Sequence, residues 1–380
     1  MKILSISNCP LVESQGSGYV AVNFCRGLRQ RGHEVDSFEP DDYEPLQFIR
    51  GRANNYRIAL GMLFFVLQQV RKKDYDLIEF YGGDSWLVVL VLAYFWKNRY
   101  ILVSHSNGLE TQFIEVMNQN QSLLETKRKW YQIDQRFLFK NAFKFVRGIV
   151  VQSDYDRDYA LQQGYGDEQH VLTISSGLLD SYLGLEVKLE RSPILGYCGS
   201  WILRKGIKTI QQDIPKILSE FPQCCFKMIG VGEDFHREDY FPIELCDRIE
   251  VIPFVRDKQK LATIYQSIAM MLVPSIYESF GLVIAEAMAC GCAVIASQVG
   301  FAANLRSGEE IILLDKLSSP HLYDAIKLLL TNESLRHTIA GNGYQRVQNL
   351  KWDKAIQNLE ATYVNWLDET KSHIGEEIND

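Results

Sequence analysis

The densest grouping of residues able to do chemistry runs Pro274-Ser275-Ile276-Tyr277-Glu278-Ser279-Phe280-Gly281-Leu282 and continues to Glu286. Glu278 lies in a loop before a helix, and Glu286 about two turns into it. Between them Phe280, Gly281 and Leu282 offer backbone N–H groups at a helix start. Such amides have no intrahelical acceptor and take an anion, phosphate above all. Two carboxylates around an anion site can accept hydrogen bonds from hydroxyls, so the set suits a nucleotide-sugar better than a bare phosphate. A second grouping, Gly199-Ser200-Trp201-Ile202-Leu203-Arg204-Lys205-Gly206, puts two adjacent cations just before another helix. Lys205 supplies a point charge and Arg204 bidentate donors, which fits a diphosphate. Read alone, the pair is equally a solvated surface pair.

Two weaker signals stand nearer the N-terminus. Gly16-Ser17-Gly18 follows the first apolar run and opens a helix that ends at Gly32-His33. Glycines there let backbone approach a ligand at a helix start. The pattern falls short of G-x-G-x-x-G and is also that of an ordinary strand–helix turn. His105, in Ser104-His105-Ser106-Asn107-Gly108, follows a β-branched run and is expected at the mouth of a strand, facing a ligand cleft. A packed, hydrogen-bonded histidine is the alternative.

These residues need elements to position them. Short apolar runs at Ile3–Ile6, Val35–Phe38, Leu77–Phe80, Ile101–Val103, Ile149–Val151 and Val171–Ile174 alternate with helical-period segments such as Tyr19–Arg31 and Arg57–Lys72. The pattern restarts after Pro193, with runs at Ile194–Cys198, Cys225–Ile229, Ile249–Ile252, Ala269–Val273, Ala293–Ala296 and Ile311–Leu314. Alternation of this kind predicts parallel sheets with helices on both faces. The expected class is α/β, with two doubly wound domains facing a central cleft: residues 1–180, residues 193–350, and an amphipathic C-terminal helix over 351–380. Leu178–Ser192 lacks a period and reads as a linker. Ligands of such sheets bind beyond the carboxyl ends of the strands, where both groupings fall.

The chain has 380 residues, is 47% hydrophobic and carries a formal charge of -7. That balance argues against general nucleic-acid binding. Eight cysteines without framework spacing indicate a reducing compartment, and Cys290-Gly291-Cys292 lacks the partners of a zinc site. No secretory signal is read, and Trp86–Trp96 is about half a membrane span. A cytoplasmic chain is therefore expected. One segment, Lys127–Arg147, places Lys129, Arg136, Lys140, Lys144 and Arg147 on one helical stripe beside Trp130, Ile133, Phe137, Phe139 and Phe143. This resembles a helix lying on an anionic membrane, at its inner face; an ordinary helix with one solvated face has the same pattern.

The E-x7-E spacing from Glu278 to Glu286, with Phe280-Gly281-Leu282 between, resembles the retaining glycosyltransferases of family four (glycosyl transferases group 1). Arg204-Lys205-Gly206, the Gly16–Gly18 loop, His105, Ser175-Ser176-Gly177 and Trp352-Asp353 match the same family in the same order. The sequence departs from it at Gly300-Phe301-Ala302-Ala303-Asn304, where Gly-Gly and Glu are usual, at Cys292, where Pro is usual, and near Pro253-Phe254, where a glycine is missing. The resemblance implies a GT-B fold, two Rossmann-like domains with the donor held by the second and the last helix crossing back to the first. It implies that Arg204 and Lys205 hold the donor diphosphate and that Glu286 binds the ribose. Glu278, with Phe280 and the amides of Gly281 and Leu282, would contact donor sugar and phosphate. His105 would contact the sugar near its anomeric carbon, and Gly16 and Gly18 would border the diphosphate.

The implied reaction is metal-independent hexosyl transfer, with retention, from a UDP- or GDP-linked sugar to a glycan or lipid-linked acceptor; no cofactor is expected. Asp74-Tyr75-Asp76 and Asp154-Tyr155-Asp156 have the D-x-D form of metal-dependent transferases but sit at the wrong strand ends and read as turn and cap residues. Arg204, Lys205 and the helix start at Gly281 would take the metal's place in stabilising the leaving diphosphate. A nucleotide-sugar epimerase and a non-catalytic nucleotide-sugar-binding subunit fit the same architecture. A nicotinamide dehydrogenase does not, for want of G-x-G-x-x-G with a following acid.

Overall fold

The structure is a computed structural model that describes residues 1–13, 16–44, 54–96, 99–124, 131–315 and 321–379. Of the basic stripe, Lys127, Lys129 and Trp130 lie outside the described residues, as does the side chain of Ile133.

Six strands, β1 (Lys2–Ile6), β2 (Glu34–Phe38), β3 (Leu77–Tyr81), β4 (Ile101–Ser106), β5 (Gly148–Val151) and β6 (Val171–Thr173), form a parallel sheet in the order β2-β1-β3-β4-β5-β6. Six more, β7 (Ile194–Cys198), β8 (Cys225–Ile229), β9 (Ile249–Ile252), β10 (Met270–Val273), β11 (Ala293–Ser297) and β12 (Ile312–Leu314), form a second in the order β12-β11-β10-β7-β8-β9. Each of the twelve predicted apolar runs is a strand. Their β-branched side chains are covered from both faces, as an all-parallel sheet requires. β4 runs three residues past Val103 because His105 and Ser106 pair with Val150 and Val151; polar residues on a fully buried strand hide its end from an apolar count. Trp86–Phe95 is a helix.

The chain divides into two compact units. One comprises Met1–Asn118, Lys127–Gly177 and Trp352–Asp380; the other Gln119–Thr126 and Leu178–Lys351. Leu178–Ser192 is not a free linker: Leu178 and Tyr182 are buried in the second core, and the Arg191 guanidinium donates to the carbonyls of Ile268 and Cys290. Cys290 and Cys292 are buried and flank a turn at Gly291, whose φ of 76° favours glycine.

In the first unit the helix Trp352–Asn379 packs on the sheet's own helices. Gly177 is a glycine because a Cβ there would strike the Trp352 backbone. Trp352 Nε1 donates to Tyr19 Oη at 2.7 Å, and Tyr19 donates to the Gly177 carbonyl at 3.1 Å. Further along, the Tyr363 hydroxyl donates to Glu79 on β3 and faces His105 Nε2 at 2.5 Å. Glu79 and His105 are buried, and His105 Nε2 lies 3.4 Å from the carboxylate.

Burial alone would raise the Glu79 carboxyl pKa, but His105, Tyr363 and Ser5 outweigh it and hold it below its ordinary range. A depressed folded-state pKa contributes stability above the unfolded value that is lost as pH falls through the folded value. Melting temperature is therefore expected to drop as the medium passes below about pH 4. Glu79→Gln should lower stability at neutral pH and flatten that slope; equal slopes in the two proteins would mean that the buried carboxyl is not ionised.

Candidate functional site

In the second sheet, β8 and β9 extend from one side of β7, and β11 and β12 from the far side of β10. The order reverses between β7 and β10, and a ligand of a doubly wound sheet binds at that switch point, beyond the carboxyl ends. The loops leaving β7 and β10 are the two groupings that stand out in the sequence.

After β7 the chain makes one 3₁₀ turn, Leu203–Lys205, then enters the helix Ile207–Glu220 through Gly206. Gly206 has φ 74°, and a Cβ there would overlap the Pro274 carbonyl, so only glycine lets the two loops meet. Ile276 N donates to the Arg204 carbonyl at 2.8 Å and joins them. Lys205 Nζ then reaches Glu278 Oε1 at 2.5 Å, and Ser275 Oγ donates to the same oxygen at 2.7 Å. Among the described residues Arg204 makes no ion pair.

The helix Leu282–Ala289 starts at Gly281, in the left-handed region at φ 85°. Its first-turn amides point out of the helix. Gly300–Asn304, where the sequence departs from the family pattern, is a 3₁₀ turn beneath this loop: Phe301 N donates to the Phe280 carbonyl at 2.8 Å, and the two rings stand 5.2 Å apart. Phe301 and Ala302 are buried, so the altered segment props the Glu278–Phe280 loop from below. Glu286 is also buried. Lys258 Nζ donates to its Oε1 at 3.0 Å and the Tyr265 hydroxyl to its Oε2 at 3.4 Å. Burial raises the Glu286 pKa, and Lys258, Tyr265 and Tyr182 offset only part of that rise.

The structure thus brings Arg204, Lys205, Glu278, Phe280, Gly281, Leu282 and Glu286 into one neighbourhood of the second unit. It adds Lys258 and Tyr265 beside Glu286, and gives Ser275 a partner in Glu278. Ser275 is adjacent to the E-x7-E block and was legible there. Lys258, first in its helix behind the cap Asp257, carries no local signal.

The remaining candidates belong to the first unit, and two are corrected. His105 is not beyond a strand but within β4, its ring stacked on Tyr81 at 4.6 Å and its Nε2 turned to Tyr363 and Glu79. Partners from β3 and the last helix hold the Nε2 side of the ring, while the buried Nδ1 meets no hydrogen-bond partner among the described residues. Gly18 lies in the first turn of Gly16–Gln30, where a Cβ would strike the backbone of Pro10 and Val12. The clearance it provides is for the protein's own chain. Gly16 has open space around it.

Asp74 pairs with Arg99 at 2.9 Å, and Asp76 accepts from Lys2 N at 2.7 Å. Asp154 and Asp156 lie in the first turn of a helix capped by Ser153. The first pair thus lies in the connection before β3, and the second behind the cap Ser153. Among the described residues no cluster of His, Cys, Asp or Glu is placed to hold a metal ion, and no helix is long and apolar enough to cross a membrane. Of the basic stripe, Arg136 pairs with Glu115 and Arg147 with Glu369, while Phe139 and Phe143 are buried. Lys144 and Phe137 are exposed, so the described part of the stripe is divided between protein partners and an open face.

Two all-parallel doubly wound sheets in one chain, each flanked by helices, define the GT-B class. The model described as Glycosyltransferase Family 4 matches residues 14–178, and that described as Glycosyl transferases group 1 matches residues 192–332. The chain belongs to the family-four glycosyltransferases. An uncharacterized glycosyltransferase of Methanocaldococcus jannaschii is 28% identical over 170 residues, 44% of this chain and 46% of that protein. The chain spans about half the length of that curated relative. In structure, sucrose-phosphate synthase of Thermosynechococcus elongatus aligns with a TM-score of 0.77 at 20% identity, over 97% of this chain and 100% of that one. HepE of Anabaena, in complex with UDP-glucose, aligns with a TM-score of 0.67 at 18% identity, over 96% and 100%.

Proposed function

We propose that the chain moves a hexosyl group from a nucleotide-sugar to a glycan or lipid-linked acceptor, retaining the anomeric configuration and using no metal. The observation that carries this is the junction of the two loops at the switch point. The Arg204 guanidinium, the Lys205 ammonium and a helix start meet there, with two carboxylates for hydroxyls. The UDP-glucose in the HepE structure supports a donor of that kind.

As the bond from anomeric carbon to phosphate oxygen breaks, negative charge grows on the diphosphate. Arg204, Lys205 and the amides of Gly281 and Leu282 stabilise it as preorganised donors. The acceptor hydroxyl attacks from the face the diphosphate leaves. Its oxygen bonds the anomeric carbon, and its proton passes to the departing phosphate oxygen. Glu286 holds the ribose hydroxyls; buried and raised in pKa, it is placed to accept and orient rather than to attack. Glu278, already bound to Lys205, orients that ammonium and contacts the donor sugar.

A thermal-shift screen against UDP, GDP, ADP and their sugars, followed by a transfer assay, tests the reading. One nucleotide family should raise the melting temperature in proportion to its saturation, and transfer should persist in EDTA. No stabilisation by any of them would overturn the donor site, and activity abolished by EDTA and restored by Mg²⁺ would overturn the metal-free step.

A further inference from the structure

In the first unit the helix Asn54–Lys72 exposes the wrong face. Tyr56, Leu60, Phe64, Leu67 and Arg71 fall at spacings of 4, 4, 3 and 4, one stripe of a helix. Phe64 is 68% exposed, and Tyr56 and Leu60 each 45%. The stripe meets the helix Trp86–Phe95 at both ends. Tyr56 touches Trp86 ring to ring at 6.4 Å. Leu67 and Arg71 share with Trp96 and Arg99 the lining of a cavity of about 350 Å³. Beside it Tyr94 and Phe95, 4.9 Å apart, stand 80% and 69% exposed. Exposed apolar side chains gathered into one patch, rather than scattered singly, mark a contact surface.

Charge says what covers this face. The chain carries -7 overall, yet Asn54–Lys72 and Trp86–Phe95 contain no Asp or Glu. Arg71 and Lys72 are exposed, end their helix beside the aromatic cluster, and make no ion pair with a described residue. Arg99, by contrast, is held by Asp74, and Lys73 by Glu34 and Asp36. Along one helix the order is thus aromatic and aliphatic side chains, then unpaired cations. A bilayer surface has that order, acyl chains below and phosphates above.

We propose that this face docks on an anionic lipid surface, with Leu60, Phe64, Tyr94 and Phe95 entering the headgroup layer and Arg71 and Lys72 meeting lipid phosphates. It lies on the membrane without crossing it: Trp86–Phe95, at about 15 Å, is half a bilayer core. The contact replaces the Lys127–Arg147 stripe, whose Arg136 and Arg147 are spent on acids within the protein. It does not depend on the transferase reading, because binding is measured without turnover.

Sedimentation of the full chain with vesicles of phosphatidylglycerol and phosphatidylcholine tests it, against phosphatidylcholine alone. The chain should bind the anionic vesicles and release as salt is raised. Leu60→Glu/Phe64→Glu should weaken binding about tenfold or more. Arg71→Glu/Lys72→Glu, at two exposed positions and so a cover for a folding failure of the first variant, should weaken it about tenfold and flatten the salt dependence. Lys140→Glu/Lys144→Glu should bind nearly as the parent does. The proposal is overturned by no binding to anionic vesicles at low salt, by unchanged binding in both of the first two variants, or by loss only in the third. Light scattering that showed a dimer dispersed by Leu60→Glu/Phe64→Glu would overturn it in favour of a second copy.

Discussion

Lys205→Ala is expected to lower kcat/KM for glycosyl transfer by about 100-fold or more, the usual effect of removing one preorganised donor from a developing anion. Lys205 is half-buried at the switch point, 2.5 Å from Glu278, and its loop is locked to the Pro274–Ile276 loop through Gly206 and the Arg204 carbonyl. The truncation removes a cation and also leaves Glu278 to Ser275 alone. Two further variants separate these effects. Lys205→Arg keeps the charge and should recover part of the rate, although a planar fork does not replace a point charge in a tight site. Glu278→Gln keeps the ammonium and removes its partner, and should raise KM more than Lys205→Arg does. The melting temperature of Lys205→Ala should stay near that of the parent, since a partly exposed ion pair contributes little to folding. Transfer at the parental rate in Lys205→Ala would mean that the diphosphate is held elsewhere.

The second large effect is on stability. Tyr363→Ala should cost about 3–5 kcal/mol, the range for truncating a fully buried aromatic side chain. Tyr363 is wholly enclosed between the last helix and the first sheet, and its hydroxyl is shared by Glu79 and His105. Its removal opens a cavity and also takes a donor from a buried carboxylate, which then depends on His105 and Ser5. Tyr363→Phe keeps the ring and should cost only about 1–2 kcal/mol, the penalty of a buried group left without one partner. Urea unfolding monitored by tryptophan fluorescence resolves the two, since Trp352 and Trp366 lie on the same helix. A loss below about 1 kcal/mol in Tyr363→Ala would mean that the helix is anchored by its ends, through Trp352 and Glu369, rather than at its middle.

Much of the site was readable before any fold. Glycines, adjacent cations and two carboxylates eight residues apart state a local geometry, and local geometry is what one segment can encode. Gly206 and Gly281 are required by their own left-handed φ. The strands were readable because a parallel sheet covered on both faces leaves an unbroken β-branched run. His105 was not, since a histidine after an apolar run has the same local pattern whether it faces a ligand or a buried carboxylate. The partners that decide the matter, Glu79 and Tyr363, stand 26 and 258 residues away. Lys127–Arg147 poses a like difficulty: helical spacing tells which residues share a stripe, not whether Glu115 and Glu369 face it.

By itself, then, the order of residues determined two parallel sheets, the strand-end loops of the candidate site, and the family. Tertiary structure alone decided that Lys258 and Tyr265 meet Glu286, that Gly18 makes room for Pro10 and Val12, that Leu178–Ser192 is core rather than tether, and that an apolar stripe without acids faces outward. Periodicity and turn chemistry act over a few residues and leave their mark in a segment. Neutralising a buried charge, or leaving a hydrophobic face uncovered, depends on groups far apart in the chain, and only packing brings those together.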